Sequence, residues 1–152
     1  MIEQKYFFGR KSKACLEQCH PDLRRIHELA IKSIPVDYGI HEAHRDRETQ
    51  LAYFLDGKSR LDPRKPEHRK KSKHLRLPAE ATDFHSSEKG TTWHRPTLSF
   101  IAGYLMCAAD LLYNAGEIEH RLRWGGDWDM DGQISVDQSF DDFPHLELYK
   151  PQ

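Results

Sequence analysis

The chain has 152 residues, a length that fits one domain able to bury a core of its own. Its 24 acidic residues against 23 Lys and Arg give a net charge of −1, which excludes a nucleic-acid binder that works through bulk positive charge. With 38% apolar and 31% charged residues the composition is that of a polar globular chain, not a disordered one.

Taken in chain order, Tyr6-Phe7-Phe8 lies between Lys5 and Arg10-Lys11 and is too brief for the apolar part of a secretory signal, so synthesis in a cytoplasm is expected. Cys15, Cys19 and Cys107 are odd in number and form no CxxC pair, which predicts free thiols in a reducing compartment. Cys15, Cys19 and His20 read either as metal ligands or as one helical turn burying two small side chains. Pro21 opens a helix whose apolar spacing runs through Leu23, Ile26, Ala30, Ile31 and Ile34, and Pro35 closes it. Val36, Tyr38 and Ile40 alternate as a strand leading to Arg45, and residues 46–55 form a short helix ended by Gly57.

Residues 58–73 carry eight Lys or Arg against Asp62 and Glu67, a local balance of +6, and Pro63 and Pro66 predict an irregular loop there. Such a block is either a solvated face or a patch for anionic polymers. A strand is expected over residues 79–84 and a long buried helix over 97–115, after Pro96 and before Gly116. The apolar run within it is interrupted by Ser99 and stops at Asp110, too short for a bilayer, so no stable membrane insertion is expected. Strands over 122–124 and 145–148 complete the set. Helices and strands do not alternate regularly, which predicts an α+β fold with a small antiparallel sheet and flanking helices, as one domain over residues 1–152.

Chemistry concentrates in two places. Histidine is abundant, with ten copies, and His74 in Ser72-Lys73-His74, Asp83, and His145 in Asp142-Phe143-Pro144-His145-Leu146-Glu147 make a set of two imidazoles and one carboxylate. That set leaves a fourth tetrahedral position for water, as a catalytic zinc requires. Residues 127–142 hold six aspartates and no basic residue, and such charges repel one another unless a cation sits among them.

Together with Phe8-Gly9-Arg10, His20-Pro21-Asp22-Leu23, Arg45, Gln50 and Leu122-Arg123-Trp124-Gly125-Gly126-Asp127-Trp128, these motifs resemble the zinc peptidases of bacterial cell walls. That family includes the VanY-type D,D-carboxypeptidases and the phage L-alanyl-D-glutamate endopeptidases that serve as endolysins. The resemblance implies a Hedgehog/D,D-peptidase-like fold, with His74, Asp83 and His145 as zinc ligands and Asp142 as catalytic base. It also matches Arg45 to an arginine suited to an oxyanion or a substrate carboxylate, the alternative being a surface ion pair with Asp46 or Glu48. Glu147 and Ser72 would support the ligands from behind. The family spacing places the aspartate seven residues after the first histidine, whereas Asp83 stands nine after His74. A two-residue bulge on an extended chain would keep the side-chain parity, and His85 is the substitute ligand.

The implied substrate is the peptidoglycan stem peptide, cut between L-alanine and D-glutamate by a monomer acting on the wall after release. The alternatives are a D,D-carboxypeptidase or D,D-endopeptidase of the same family, or a noncatalytic calcium-binding phage module. A non-haem iron oxygenase is set aside because no arginine follows His145. Asp127, Asp129 and Asp131, with Gly132 at the sixth position, fit the opening of an EF-hand calcium loop, although Gln138 stands where the loop needs a closing glutamate.

Overall fold

The computed structural model describes residues 2–152. In chain order it comprises helices α1 (Arg10–Glu17) and α2 (Pro21–Ile31), strand β1 (Tyr38–Glu42), helices α3 (Arg47–Leu55) and α4 (Pro66–Lys71), and a 3-10 turn at Lys73–Leu75. Strand β2 (Ala81–Ser86), helix α5 (Arg95–Asn114), and strands β3 (Arg121–Gly125) and β4 (Asp142–Tyr149) follow. The α+β expectation holds: one four-stranded sheet has the order β1-β2-β4-β3, and every pair in it is antiparallel.

Side chains alternate across a strand, and here the alternation separates stability from chemistry. Tyr38 and Ile40 of β1, Phe84 of β2, Trp124 of β3 and Leu146 and Leu148 of β4 are all buried in the core. α2 brings Leu23, Ile26 and Ala30 to the same core, and α5 brings Leu98, Ile101, Leu105 and Ala109. Each fully buried Leu, Ile or Phe contributes about 1.5–3 kcal/mol, so this face carries the stability. The intervening residues are His41, Asp83, His145, Glu147 and Arg123, and they make a polar row on the opposite parity.

Local signals set most helix ends. Asp46 caps α3 by accepting the Thr49 N–H at 2.7 Å, and Gly57 and Gly116 follow α3 and α5 with φ of +75° and +73°, a region glycine enters freely. α2 starts at Pro21 as expected. Cys15 and Cys19 are buried free thiols and Cys107 an exposed one; Cys19 Sγ donates to the Cys15 carbonyl, which supports the packing reading of that pair. His20 caps α2 through the Asp22 N–H, and His120 Nδ1 pairs with Asp22 Oδ2 at 2.7 Å.

Three expectations are corrected. The basic block is not wholly irregular, because Pro66 occupies the first turn of α4, where its missing N–H costs nothing. Arg10–Glu17 is a helix that the motif reading passed over. The central helix is longer than its apolar run: its 20 residues are long and apolar enough to cross a membrane, although one flank is buried in the core.

Candidate metal centre

The ligand atoms of His74, Asp83 and His145 form a nearly equilateral triangle. His74 Nε2 lies 3.2 Å from Asp83 Oδ1 and 3.2 Å from His145 Nδ1, and His145 Nδ1 lies 3.2 Å from Asp83 Oδ1. Two of the three sit on paired strands, Asp83 of β2 opposite His145 of β4. His74 comes from the 3-10 turn, which is clasped by the segment following β1 through Arg45 N–H to the His74 carbonyl at 2.8 Å. The expected bulge on an extended chain is therefore corrected. His74 lies in the 3-10 turn and β2 begins only at Ala81, so the chain between them is not a continuous strand and strand parity does not act on His74. His85 does not join the triangle; its ring lies near those of His41 and Trp93 and against Gly39, where any side chain would collide with it.

Each imidazole is oriented from behind. Nδ1–H of His74 donates to the Ala43 carbonyl at 2.7 Å, and Nε2–H of His145 donates to Glu147 Oε1 at 2.9 Å. With those tautomers assigned, His74 Nε2 and His145 Nδ1 point lone pairs at each other and at the Asp83 carboxylate. Three acceptors crowded this closely need a cation or a proton between them. Burial alone would lower the His145 pKa, but its hydrogen bonds to Asp83 and Glu147 outweigh burial and push it up to about 10. Burial opposes ionisation of Asp83, yet the His74 charge and the two imidazole hydrogen bonds hold it well below the usual carboxylate range. A tetrahedral ion with bonds of about 2.0–2.1 Å has ligand-to-ligand edges of about 3.3 Å, so the triangle fits zinc without rearrangement.

Glu147 is itself held by Arg123 Nη2 at 2.9 Å, and the two partners bring it down to about 2 against the effect of burial. Ser72, expected to support a ligand, closes α4 and opens the 3-10 turn; among the described residues no hydrogen bond joins its side chain to the triangle. Asp142 begins β4, opposite Gly125, where a Cβ would collide with the Asp142 carbonyl oxygen. Burial, followed by the nearby Asp83 charge, raises the Asp142 pKa above the ordinary carboxylate value.

Arg45 is not paired with Asp46 or Glu48. Its Nε donates to Glu42 Oε1 at 2.6 Å and its Nη1 to Gln50 Oε1 at 2.7 Å, while Nη2 contacts Glu42 and reaches Asp83 Oδ2 at 3.4 Å. Tyr53 completes this support, stacking under the guanidinium at 4.6 Å and donating its hydroxyl to Glu42 at 3.0 Å. Glu42, Tyr53 and the Ala43 carbonyl escaped the sequence reading. A backbone acceptor leaves no residue-type signal, whereas alternation along β1 would have placed His41 on the polar face.

His74, Asp83, His145, Asp142, Arg45 and Glu147 line a cleft of about 870 Å³, within the range of ligand sites. Arg60, Lys70 and Lys73 stand on its walls with Trp93, Trp128 and Phe140. The ring of Trp128 lies 5.4 Å from that of His145, and its indole N–H donates to the Phe140 carbonyl at 2.9 Å, tying the acidic loop to the last ligand.

In that loop Asp127, Asp129 and Asp131 form a second group whose carboxylate oxygens lie within 4.8 Å of one another. Asp127 accepts the Asp131 and Gly132 N–H groups at 3.2 and 2.9 Å, and Gly132 takes φ of +86°, as the turn of a calcium loop demands. Gln138 turns away from this group: its side chain accepts from Trp128 N–H and donates to Gly125, Phe140 and Asp141.

Comparison with known proteins agrees with this picture. Residues 4–149 match the family described as phage L-alanyl-D-glutamate peptidase. The fold is similar to the crystal structure of Serratia marcescens L-Ala D-Glu endopeptidase ChiX, with a TM-score of 0.68 and 24% identity over 94% of this chain and 90% of that one. Among curated proteins none matches the chain.

Proposed function

The chain belongs to the phage L-alanyl-D-glutamate peptidase family, and from that premise we propose that it is a zinc-dependent endolysin cutting the L-Ala–D-Glu bond of peptidoglycan stem peptides. The observation that carries the metal reading is the triangle of three lone-pair atoms, each 3.2 Å from the others. His74, Asp83 and His145 would hold the ion. When bound, zinc lowers the pKa of water from about 15.7 towards about 7 and acts as a Lewis acid on the scissile carbonyl.

The chain's own groups do the rest. The Asp142 carboxylate accepts a proton from the attacking water and delivers it to the leaving amine, a role worth about 10²- to 10⁴-fold. Its raised pKa strengthens it as a base and suits it to hold the proton between the two transfers. Arg45, anchored by Glu42 and Gln50, fixes the second oxygen of Asp83 and sets a permanent positive charge beside the carbonyl oxygen on which negative charge develops. Glu147 keeps the Nδ1 lone pair of His145 directed inward. The same domain, residues 1–152, works as a monomer in this reading. The Asp127, Asp129 and Asp131 group takes calcium weakly and orders the loop that carries Trp128 towards His145.

Digestion of purified peptidoglycan with zinc-loaded protein, followed by mass spectrometry of the fragments, tests the proposal. New amino termini on glutamyl residues are expected. Release of terminal D-alanine would transfer the activity to the D,D-peptidases, and no release at all would leave a noncatalytic module.

A further inference from the structure

Among the described residues two buried side-chain nitrogens have no hydrogen-bond partner, His41 Nδ1 and Arg123 Nε. Both belong to residues that line the cleft. They stand on the two edge strands, His41 on β1 and Arg123 on β3, while Asp83 and His145 occupy β2 and β4 between them. Buried polar atoms left unpaired are rare because the lost hydration is not replaced. Two of them flanking a metal-ligand triangle mark places where a bound molecule completes the hydrogen bonding.

The two arginines beside the ligands differ in what they have left to offer. Arg45 is 9% exposed and its donors are taken by Glu42, Gln50 and Asp83. Arg123 is 38% exposed, is steadied by one bond to Glu147 and by the Trp128 ring 5.3 Å away, and keeps Nε–H unpaired. Lys73 lines the cleft as well, with Glu80 3.8 Å from its ammonium. A guanidinium held in this way is suited to a carboxylate.

The substrate named by the proposed reaction supplies one. A glutamyl residue carries two carboxyl groups, and only one of them can extend the chain, so the other stays free near the scissile amide. We infer that Arg123 anchors this free carboxylate, so that the D-glutamyl side of the bond lies over β3 and the alanyl side lies over β1 against His41 and Trp93. The inference rests on the proposed reaction and adds to it the direction in which the peptide lies and the residue that selects an unamidated glutamate.

Two stem-peptide substrates differing only at that group, carboxylate or carboxamide, test it with zinc-loaded wild type, Arg123→Gln and Arg123→Lys. The wild type should prefer the carboxylate by about tenfold or more in kcat/KM, as expected for a hydrogen bond between charged partners. Arg123→Gln should bring that ratio to within about twofold of unity, and Arg123→Lys should keep part of it. Loss of Arg123 also frees Glu147, but that effect is common to both peptides and cancels in the ratio. A ratio unchanged in Arg123→Gln, or equal in the wild type, overturns the assignment. Dissociation constants for the two glutamyl product peptides separate the inference from the reaction. A carboxylate preference that depends on Arg123, in protein that cleaves neither peptide, supports the anchor and refutes the reaction, whereas cleavage with no preference refutes the anchor alone.

Discussion

Two of the carboxylate-bearing clusters in this chain are built in opposite ways. His74, Asp83 and His145 are fixed from behind: two lie on strands in register, and every ligand has a second partner, Ala43, Arg45 or Glu147. Asp127, Asp129 and Asp131 sit in an exposed loop and are fixed only by turns within it. In the first case the backbone has already met the cost of bringing like atoms together, so a metal finds a finished site. In the second an ion would have to order the ligands itself, so weak binding is the expected outcome.

The largest effects should come from breaking the rigid cluster. His74→Ala and His145→Ala are expected to abolish zinc retention and to reduce peptide release to background, as read by metal analysis and by fragment yield. Retained stoichiometric zinc in both would remove the distinction between the clusters. Asp142→Asn should keep its zinc and lose about 10²- to 10⁴-fold in kcat. In the wild type the acid limb of kcat/KM should lie above the ordinary carboxylate pKa of about 3.9, since Asp142 must be unprotonated to act and its pKa is raised. Activity then falls as pH drops through that raised value, and an acid limb at or below the ordinary value would take the role from Asp142.

A smaller loss is predicted where the ligand stays but its support goes. Glu147→Gln accepts the His145 N–H without the charge and should weaken zinc by about 10- to 100-fold, measured by competition with a chelating dye. Unchanged affinity would mean that the strand register alone holds His145. The smallest effect belongs to the loop. Calcium should raise activity and Tm together with a midpoint of about 10⁻⁴ to 10⁻³ M, magnesium serving as control, and an Asp129→Ala, Asp131→Ala double variant should lose the response while keeping its zinc. A calcium response that survives in the double variant would place the ion elsewhere.

The contrast also explains which features were legible in the sequence. His145, Glu147 and Asp142 share one strand, so a single motif, read through its resemblance to the zinc peptidases, named the candidate ligand, its support and the candidate base together. The core helix and the strands announced themselves through Pro96, Gly116 and the alternation of Tyr38 and Ile40. His74 was found through its motif, but the way it reaches Asp83 was not, because a 3-10 turn obeys neither strand nor helix periodicity. The partners of Arg45 were misread for a related reason: charge pairing was sought one to three residues downstream along the chain, while the real partners, Glu42 and Asp83, lie upstream and across the sheet. The third support, the Ala43 carbonyl, is a backbone atom that no residue type reveals.

Titration of metal-stripped protein with zinc, following peptide release from peptidoglycan at each addition, tests the central claim most directly. Activity should rise linearly and break at one zinc per chain, and Asp83→Ala should show no such break. Full activity in the stripped protein, or the same titration in Asp83→Ala, would contradict the assignment of catalysis to this triangle.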